Sequence, residues 1–412
     1  MPLGLQRSFG FGDRLGLATP GHLAAARRFS IAPVLAQLAP RELARAGTRP
    51  ADRLAAVSRA VAEAHFSRAW GADAHTVKTE TDIDMMAAAG ATWFTLDPSA
   101  FVENRADSLD ADGLAEELAG LGKEGVLPAD CVPSLAGRRF EFDSDIHVAP
   151  DLDALARAAV KFARALHHAQ RLARHVSTAS RHAPFDLELA LVECAAPATP
   201  EEHLFIALEM RRRAMPVTAL ALRWDATLEP AVEHAGDAEA CARGLRVHAA
   251  IARHLGPYKV SIHHGDAKFA VFPGIARACG ERLHVKTASA SFLAAMRLVS
   301  RVAPDLFREI VCFARPRFES ERVPHLVTTT QAAVERLFRP AASAHPEKTF
   351  LDTAAGQQLL ETTCGAILLN GLTSRGRPFR DAILDLLHQR RDDYHSLLDA
   401  VFTRHLELLN QG

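Results

Sequence analysis

Short apolar runs recur along the first three-quarters of the chain, and an amphipathic segment with helical spacing follows most of them. The runs are continuous rather than alternating, which is typical of parallel strands covered on both faces. They comprise residues 9–16, 75–79, 92–96, 185–193, 217–224, 258–263 and 283–287.

Repeated strand–helix units of this kind predict a parallel sheet, either closed or open. No G-x-G-x-x-G motif follows the first run, which argues against a doubly wound dinucleotide-binding fold. The expected fold is therefore α/β, a (β/α)₈ barrel of the TIM type, although only seven of its eight strands are clearly marked.

The helical patterns also predict the domain organisation. Residues 1–330 are expected to form the barrel, with helical insertions near 31–66 and 106–182. Residues 331–412 read as helix throughout, so we expect a helical C-terminal extension packed on the barrel. No linker rich in Pro, Gly or Ser separates the two parts.

Composition narrows the classes of partner. The 412 residues contain 48 Lys and Arg against 49 Asp and Glu, which leaves no basic excess for nucleic acid. No apolar stretch approaches the roughly 18 residues of a membrane span. The six cysteines form no C-x-x-C pair, which suits a reducing compartment and argues against a cysteine-based metal site. We expect a cytoplasmic protein without nucleic-acid or membrane partners, and leave a homo-oligomer open.

The candidate chemistry lies where strands end, because the loops that follow the strands of such barrels carry the active site. His75, His263 and His284 occupy or follow strands, and acidic residues lie at other strand ends. Imidazole and carboxylate together suit Zn, Mn, Ni or Co. Any single histidine among 20 is more often a packed or surface residue, so the inference rests on the pair His263 and His284.

Lysine is scarce, with only seven against a large majority of Arg. Lys78, Lys268 and Lys286 lie within or just beyond predicted strands, and Lys268 precedes a helical segment. A compact ammonium near a helix N-terminus favours an anionic ligand. We expect an anionic or polyhydroxylated small substrate. A Schiff-base role for one of these lysines is the chemical alternative.

Two blocks carry a family resemblance: Tyr258-Lys259-Val260-Ser261-Ile262-His263-His264-Gly265-Asp266-Ala267-Lys268-Phe269 and His284-Val285-Lys286-Thr287-Ala288. With Gly12-Asp13-Arg14, Gly71-Ala72-Asp73-Ala74 and the tail around Phe402, they resemble the tagaturonate epimerase family over most of the chain. The resemblance implies a metal-dependent sugar epimerase that interconverts D-tagaturonate and D-fructuronate, or the neutral ketohexoses tagatose and fructose at the equivalent carbon.

The implied chemistry suggests a role for each candidate. With the carboxylate as carbon 1 and the ketone at carbon 5, the inverted centre is carbon 3, which is β to the ketone, so simple enolisation cannot invert it. A retro-aldol step that breaks the bond between carbons 3 and 4 can, with a metal stabilising the enediolate. Deprotonation–reprotonation chemistry is the alternative. Proton transfer is assigned to Asp73 and Glu193, with Lys78 as a further catalytic residue, and a divalent ion (Zn, Mn, Ni or Co) to His75, His263 and His284. The expected substrate-binding residues are Asp13, Arg14, Asp97, Arg223, Lys268 and Lys286.

Three of these assignments have a purely structural alternative. Asp97 precedes Pro98 and could only cap a turn, Arg223 could pair with a barrel carboxylate, and Asp13 with Arg14 could form a structural ion pair.

Two other functions remain open at this point. One is a class II metal-dependent aldolase, which would release three-carbon products, and the other is a non-catalytic sugar-binding barrel. The family pattern has Asp-His where this chain has His75-Thr76, Asp at Ala267 and His near Glu361, so a ligand or base could be displaced.

Overall fold

Eight parallel strands close into a barrel in the computed structural model, which describes residues 2–40, 43, 48–181, 183–226, 228–234, 236–322, 327–339 and 345–411. The barrel strands are β1 (Ser8–Gly10), β2 (Ala32–Leu38), β3 (Gly71–Val77), β4 (Trp93–Leu96), β7 (Asp186–Leu191), β8 (Ala219–Leu222), β9 (Lys259–Ile262) and β10 (Leu283–Lys286). Ser8 pairs with both Ala32 and His284, so β1 closes the ring between β2 and β10. The predicted (β/α)₈ barrel is confirmed.

Helices surround the barrel. Those of the first half are α1 (Thr19–Ala26), α2 (Pro50–Glu63), α3 (Glu80–Ala89), α4 (Ala111–Lys123), α5 (Cys131–Leu135) and α6 (Leu152–Ala179). In the second half follow α7 (Pro200–Arg212), α8 (Ala238–Leu255), α9 (Phe272–Cys279), α10 (Ala290–Val302), α11 (Pro304–Ala314) and α12 (Phe318–Glu321). The C-terminal helices are α13 (Gln331–Leu337), α14 (Pro346–Leu351), α15 (Ala354–Thr362), α16 (Cys364–Asn370), α17 (Phe379–Gln389) and α18 (Arg391–Asn410).

The expected helical insertion at 31–66 is wrong in its first part, because residues 32–38 form the barrel strand β2. Val34 and Leu35 are fully buried between β1 and β3. The Ala- and Leu-rich composition of this segment favours a helix, and pairing on both edges overrides that preference. The helical pattern belongs to α2, and β2 is the strand that the sequence marked poorly.

The segment 106–182 contains α4, α5 and α6, together with an antiparallel hairpin of β5 (Phe140–Asp143) and β6 (Ile146–Val148). Helix α6 begins at Asp151, whose carboxylate accepts a hydrogen bond from the backbone N–H of Ala154. Alanine and leucine along its buried face allow α6 to pack closely against α4 and α7.

The last helix, α18, lies against α1, α9 and α10 in the outer ring. Phe402 meets Phe9 of β1 edge to face at 6.1 Å between ring centroids. Arg7 donates to the carbonyl of Leu409 at 2.9 Å, and the Tyr394 hydroxyl donates to the carbonyl of Ser291 at 3.1 Å. The extension thus covers the outside of the barrel beside β1.

Within the described part of the chain, no helix is both long enough and apolar enough to cross a membrane.

Candidate active site

Polar side chains fill the barrel interior at two depths. Lys259 begins β9 and His263 follows its last residue, and on β10 His284 precedes Lys286, so the second residue of each pair lies nearer the C-terminal end of the barrel. The upper group, the Lys286 cluster, comprises Asp73, His75, Thr95, Glu188, Ser261, His263 and Lys286. The lower group, the Lys259 cluster, comprises Ser8, Asp186, Lys259 and His284.

The Lys286 ammonium lies between two carboxylates. Its Nζ is 2.8 Å from Asp73 Oδ2 and 2.7 Å from Glu188 Oε2. It also donates to Thr95 Oγ1 at 2.6 Å, and His75 Nδ1 lies 3.2 Å away. Asp73 and Glu188 are fully buried and Lys286 is nearly so, so these contacts replace the hydration of all three charged groups.

The two carboxyl groups differ in proton affinity. Burial raises the pKa of Asp73, and the nearby Lys286 reduces this effect only partly. Burial also opposes ionisation of Glu188, but Lys286 and His263 outweigh it and hold the pKa of Glu188 well below its usual value. The pKa of Lys286 is raised, because Asp73 and Glu188 outweigh its own burial. Carboxyl groups whose pKa values are pushed apart can divide acid and base roles between them.

Two histidines of the cluster lie at the mouth of the barrel. His263 Nε2 donates to Glu188 Oε1 at 2.7 Å, and Glu188 also accepts from Ser261 Oγ at 2.7 Å and from Trp93 Nε1 at 3.0 Å. The rings of His75 and His263 are 5.5 Å apart between centroids. His75 Nδ1 lies 3.2 Å from Lys286 Nζ and 3.5 Å from Asp73 Oδ2, so this ring nitrogen faces the centre of the cluster.

His284 lies in the Lys259 cluster and not beside His75 and His263. Its Nδ1 is 2.9 Å from Ser8 Oγ, and its ring lies 4.6 Å from the Trp93 ring. Ser8 Oγ accepts from Lys259 Nζ at 2.9 Å and can therefore donate its own proton to His284. Burial holds the pKa of His284 well below its usual value. The structure thus does not bring together the three histidines predicted to bind a metal.

Three predicted residues form a small group at the rim. Lys78 Nζ is 2.9 Å from Asp97 Oδ2, and the Lys78 side chain is 51% exposed. Asp97 also accepts from the backbone N–H of Ser99 at 3.0 Å, so it caps the turn after β4 while pairing with Lys78. Partial burial and the neighbouring Asp97 raise the pKa of Glu193. Proximity to the mouth leaves all three available to a substrate.

Four other predicted substrate-binding residues hold the framework instead. Asp13 accepts from the backbone N–H groups of Gly16 and Ala18 at 2.6 and 2.9 Å, so it fastens the turn before α1 and does not pair with Arg14. Arg14 pairs with Glu361 of α15 through two hydrogen bonds of 2.5 and 2.7 Å.

Arg223 and Lys268 are both occupied by backbone carbonyl groups. Arg223 donates to the carbonyls of Cys194 and Ala195 at 3.0 and 2.6 Å. Lys268 donates to the carbonyls of Glu229 (2.7 Å), Val232 and Asp266 (3.2 Å). These contacts leave Lys268 completely buried, so its ammonium anchors a loop.

Sequence reasoning missed Glu188, Thr95 and Ser261, which all point into the barrel. From the apolar run 185–193, sequence reasoning selected Glu193, at its end, instead of Glu188 within it. A signal was present: Glu188 is an acidic residue flanked by leucines inside a buried strand, and a charge in such a place requires a partner.

The donor atoms in the barrel do not form a compact three-ligand group. Across the described ranges, one set of three His, Cys, Asp or Glu side chains brings ligand atoms within 4.8 Å of one another, and it consists of Asp225, His234 and Cys241. In the Lys286 cluster, the Lys286 ammonium lies between the donors, so Asp73 and Glu188 face it rather than a common centre.

Known proteins match this chain over nearly its whole length. The family model described as tagaturonate epimerase covers residues 2–409. The chain is 31% identical over 408 residues to the tagaturonate/fructuronate epimerase of Thermotoga maritima, covering 98% of this chain and 81% of the relative. A glycerol-bound crystal structure of fructuronate-tagaturonate epimerase from Cohnella laeviribosi superposes with a TM-score of 0.90 at 30% identity, over 99% of this chain and 82% of that one. The native crystal structure of that enzyme matches with a TM-score of 0.89.

Proposed function

Because the chain belongs to the tagaturonate epimerase family, we propose that this epimerase interconverts D-tagaturonate and D-fructuronate. One observation carries the proposal beyond family membership. Asp73 and Glu188 flank the Lys286 ammonium at the C-terminal end of the barrel, and their environments push their pKa values in opposite directions. Such a pair suits a reaction that must remove and return a proton.

The proposed reaction is a retro-aldol cleavage followed by re-addition. A base removes the proton of the carbon 3 hydroxyl, the bond between carbons 3 and 4 breaks, and its electron pair passes into an enediolate over carbons 4 and 5. The three-carbon aldehyde turns over, carbon 4 attacks its other face, and the new alkoxide regains the proton. No external oxidant or reductant is needed.

Asp73 is proposed as the group that takes and returns the hydroxyl proton, since its raised pKa lets it hold a proton transiently. Lys286 holds Asp73 in place and places a positive charge where an alkoxide would develop. Thr95 donates to Asp73 Oδ1 at 2.9 Å and orients that carboxyl group. Glu193 at the rim is proposed as the second proton-transfer group, on the opposite side of the substrate.

A divalent metal is also proposed, with His75 and His263 as its imidazole ligands. The donor chemistry fits, because His263 is backed by Glu188 as metal-binding histidines are commonly backed by a carboxylate. His75 Nδ1 lies 3.5 Å from Asp73 Oδ2, so the tautomer protonated at Nδ1 would face that carboxylate and leave the Nε2 lone pair for the metal. When bound, such an ion would polarise the ketone oxygen as a Lewis acid.

Lys78 is proposed to bind the substrate carboxylate. Lys78 pairs with Asp97 at the rim and its side chain is 51% exposed, whereas Lys268 and Lys286 are almost completely buried. A hexuronate would replace part of the Asp97 contact, while a neutral ketohexose would not. The native substrate of this chain is therefore proposed to be the hexuronate.

The test is direct conversion. Purified protein is incubated with D-tagaturonate, D-fructuronate, tagatose or fructose, before and after chelation and with each divalent ion restored, and the products are separated. We expect epimerisation of the hexuronates, its loss on chelation and its return with metal. Full activity in metal-free protein would contradict the metal assignment, and net accumulation of three-carbon products would favour an aldolase instead.

The bond-breaking step has its own test. An aldehyde-capturing hydrazine added during turnover should trap the three-carbon aldehyde acid in wild-type enzyme. Unimpeded epimerisation with no trapped aldehyde and no exchange of labelled dihydroxyacetone into the product would contradict the retro-aldol route.

A further inference from the structure

A second group of ligand-type side chains lies outside the Lys286 cluster, where β8 passes into α8. It consists of Asp225 just after β8, His234 in the following loop and Cys241 in the first turn of α8. One ligand atom from each lies within 4.8 Å of the other two. His234 and Cys241 are 7% and 4% exposed, so the group is screened from bulk water on the side of the helix.

The three donor types point to one class of ion. A thiolate, an imidazole and a carboxylate together suit zinc and the ions that replace it, whereas calcium and magnesium prefer oxygen alone. Ligand atoms around tetrahedral zinc lie about 3.3–3.8 Å apart, given bond lengths of about 2.0–2.3 Å. The three ligand atoms here lie within 4.8 Å of one another, at most about 1.0–1.5 Å wider than these spacings. We propose that Asp225, His234 and Cys241 bind a structural divalent ion of the zinc type.

The position of the group explains what an ion would stabilise. The loop between β8 and α8 forms one wall of the barrel mouth, and Asp225 lines a small cavity together with His263 and His264. The far part of this loop is fastened by Lys268, which donates to the carbonyls of Glu229 and Val232. An ion at Asp225, His234 and Cys241 would fasten the ends of the loop in the same way.

The same loop is also tied to the C-terminal extension. The Glu229 carboxylate accepts hydrogen bonds from the backbone N–H of Thr328 at 2.9 Å and from the Gln358 side chain at 2.9 Å. The loop is thus held from outside by polar contacts. Because each further cross-link lowers the conformational freedom of a loop, a metal ligated by residues at both of its ends would restrict it further.

Cobalt substitution of the intact protein tests the proposal. Metal is removed with a chelator, Co²⁺ is added, and the absorption spectrum is recorded. A cysteine thiolate bound to cobalt produces a near-ultraviolet charge-transfer band. We expect this band in wild-type protein at one equivalent. The catalytic ligands proposed above include no thiolate, so the band reports on this site whether or not the enzyme turns over.

Matched variants assign the band. Cys241→Ser should abolish the band and weaken the affinity of this site for Co²⁺ by about 100-fold or more, because losing even a residue that only hydrogen-bonds a ligand lowers metal affinity by about 10- to 100-fold. Cys279→Ser changes another buried cysteine, on α9, and should keep it. His234→Gln retains the thiol, so it should shift the band and lower the affinity for Co²⁺. This variant tests the site independently if Cys241→Ser does not fold.

The proposal is overturned if folded wild-type protein shows no thiolate band at saturating Co²⁺. It is equally overturned if the band persists in Cys241→Ser or disappears in Cys279→Ser.

Discussion

Two buried lysines of the same barrel experience opposite environments. Lys286 lies within 2.8 Å of two carboxylates, and its pKa is raised. Lys259 donates to the carbonyl of Gln6 at 3.1 Å and to Ser8 Oγ at 2.9 Å, and its ammonium lies 4.5 Å from the Trp93 ring centre. Burial lowers the pKa of Lys259 to about 8, although Asp186 and Glu188 oppose the shift from a distance.

The comparison shows that direct carboxylate contact, and not the extent of burial, decides whether the pKa of a buried lysine is raised or lowered. Both side chains are almost completely buried, so both pay for desolvation. Trp93 lies between the two clusters: its indole N–H donates to Glu188 while its ring faces Lys259 and His284. The ammonium of Lys259 therefore loses its proton at a lower pH than that of Lys286 above it.

The largest difference should appear when each lysine is replaced by methionine. Lys286→Met leaves Asp73 and Glu188 buried without their cation, so we expect a loss of about 3–5 kcal/mol in the free energy of unfolding. Epimerase activity should fall by about 1,000-fold or more. Lys259→Met removes no close carboxylate contact and should change stability by about 1 kcal/mol. Denaturant titration and kcat/KM measure both, and equal losses in the two variants would contradict the comparison.

Two buried aspartates sharpen the same contrast. Asp73→Asn should lower kcat by about 100- to 10,000-fold with little change in KM, because it removes the proposed proton-transfer group. Asp186→Asn is the control, since Asp186 accepts from the backbone N–H groups of Leu3 and Gly4 and hydrogen-bonds Thr218, outside the Lys286 cluster. It should cost about 1–3 kcal/mol of stability while the folded enzyme keeps its kcat. A comparable kcat loss in Asp186→Asn would argue against the separation of the clusters.

The lowered pKa of Lys259 predicts a stability change with pH. Below pH 8 the ammonium is charged in both states and its burial penalty is complete. Between pH 8 and about 10.4, the usual value, the unfolded chain binds more protons than the folded one, so stability rises with pH.

The free energy of unfolding of the wild type should rise by roughly 2 kcal/mol between pH 7.5 and 9.5, relative to that of Lys259→Met over the same range. The difference cancels the contribution of Lys268, whose burial also lowers its pKa to about 8. Wild-type stability that declines relative to the variant over this range would refute a depressed pKa.

The smallest expected effect concerns the exposed rim. Lys78→Met should raise KM for D-tagaturonate by about 5- to 10-fold and leave KM for tagatose unchanged, because only the former carries a carboxylate. Stability should change by less than about 1 kcal/mol, as for other exposed ion pairs. Arg377→Met removes an exposed ion pair with Asp385 of α17 and serves as the control. Equal KM changes for both sugars would reject Lys78 as the carboxylate-binding residue.

The sequence predicted the repeated strand–helix units, the position of His75, His263 and Lys286 within or at the end of strands, and the family, because each depends on local pattern. It placed Asp73 ahead of the predicted run 75–79, whereas Asp73 lies inside β3. It did not predict β2, because an Ala- and Leu-rich strand looks helical until pairing on both edges is known. It missed Glu188, because a mid-strand carboxylate becomes part of a site only when neighbouring strands contribute His263 and Lys286.

Which charges meet was decided by the tertiary structure alone. Along the chain Lys259, Lys268 and Lys286 look equivalent. In the structure Lys286 contacts two carboxylates, Lys268 contacts three backbone carbonyls, and Lys259 contacts a hydroxyl and a backbone carbonyl. Spacing in sequence sets the side chain's face and height in the barrel, whereas strand register sets its neighbours. In a low-dielectric interior those neighbours determine protonation, and so they determine which lysine belongs to the proposed chemistry.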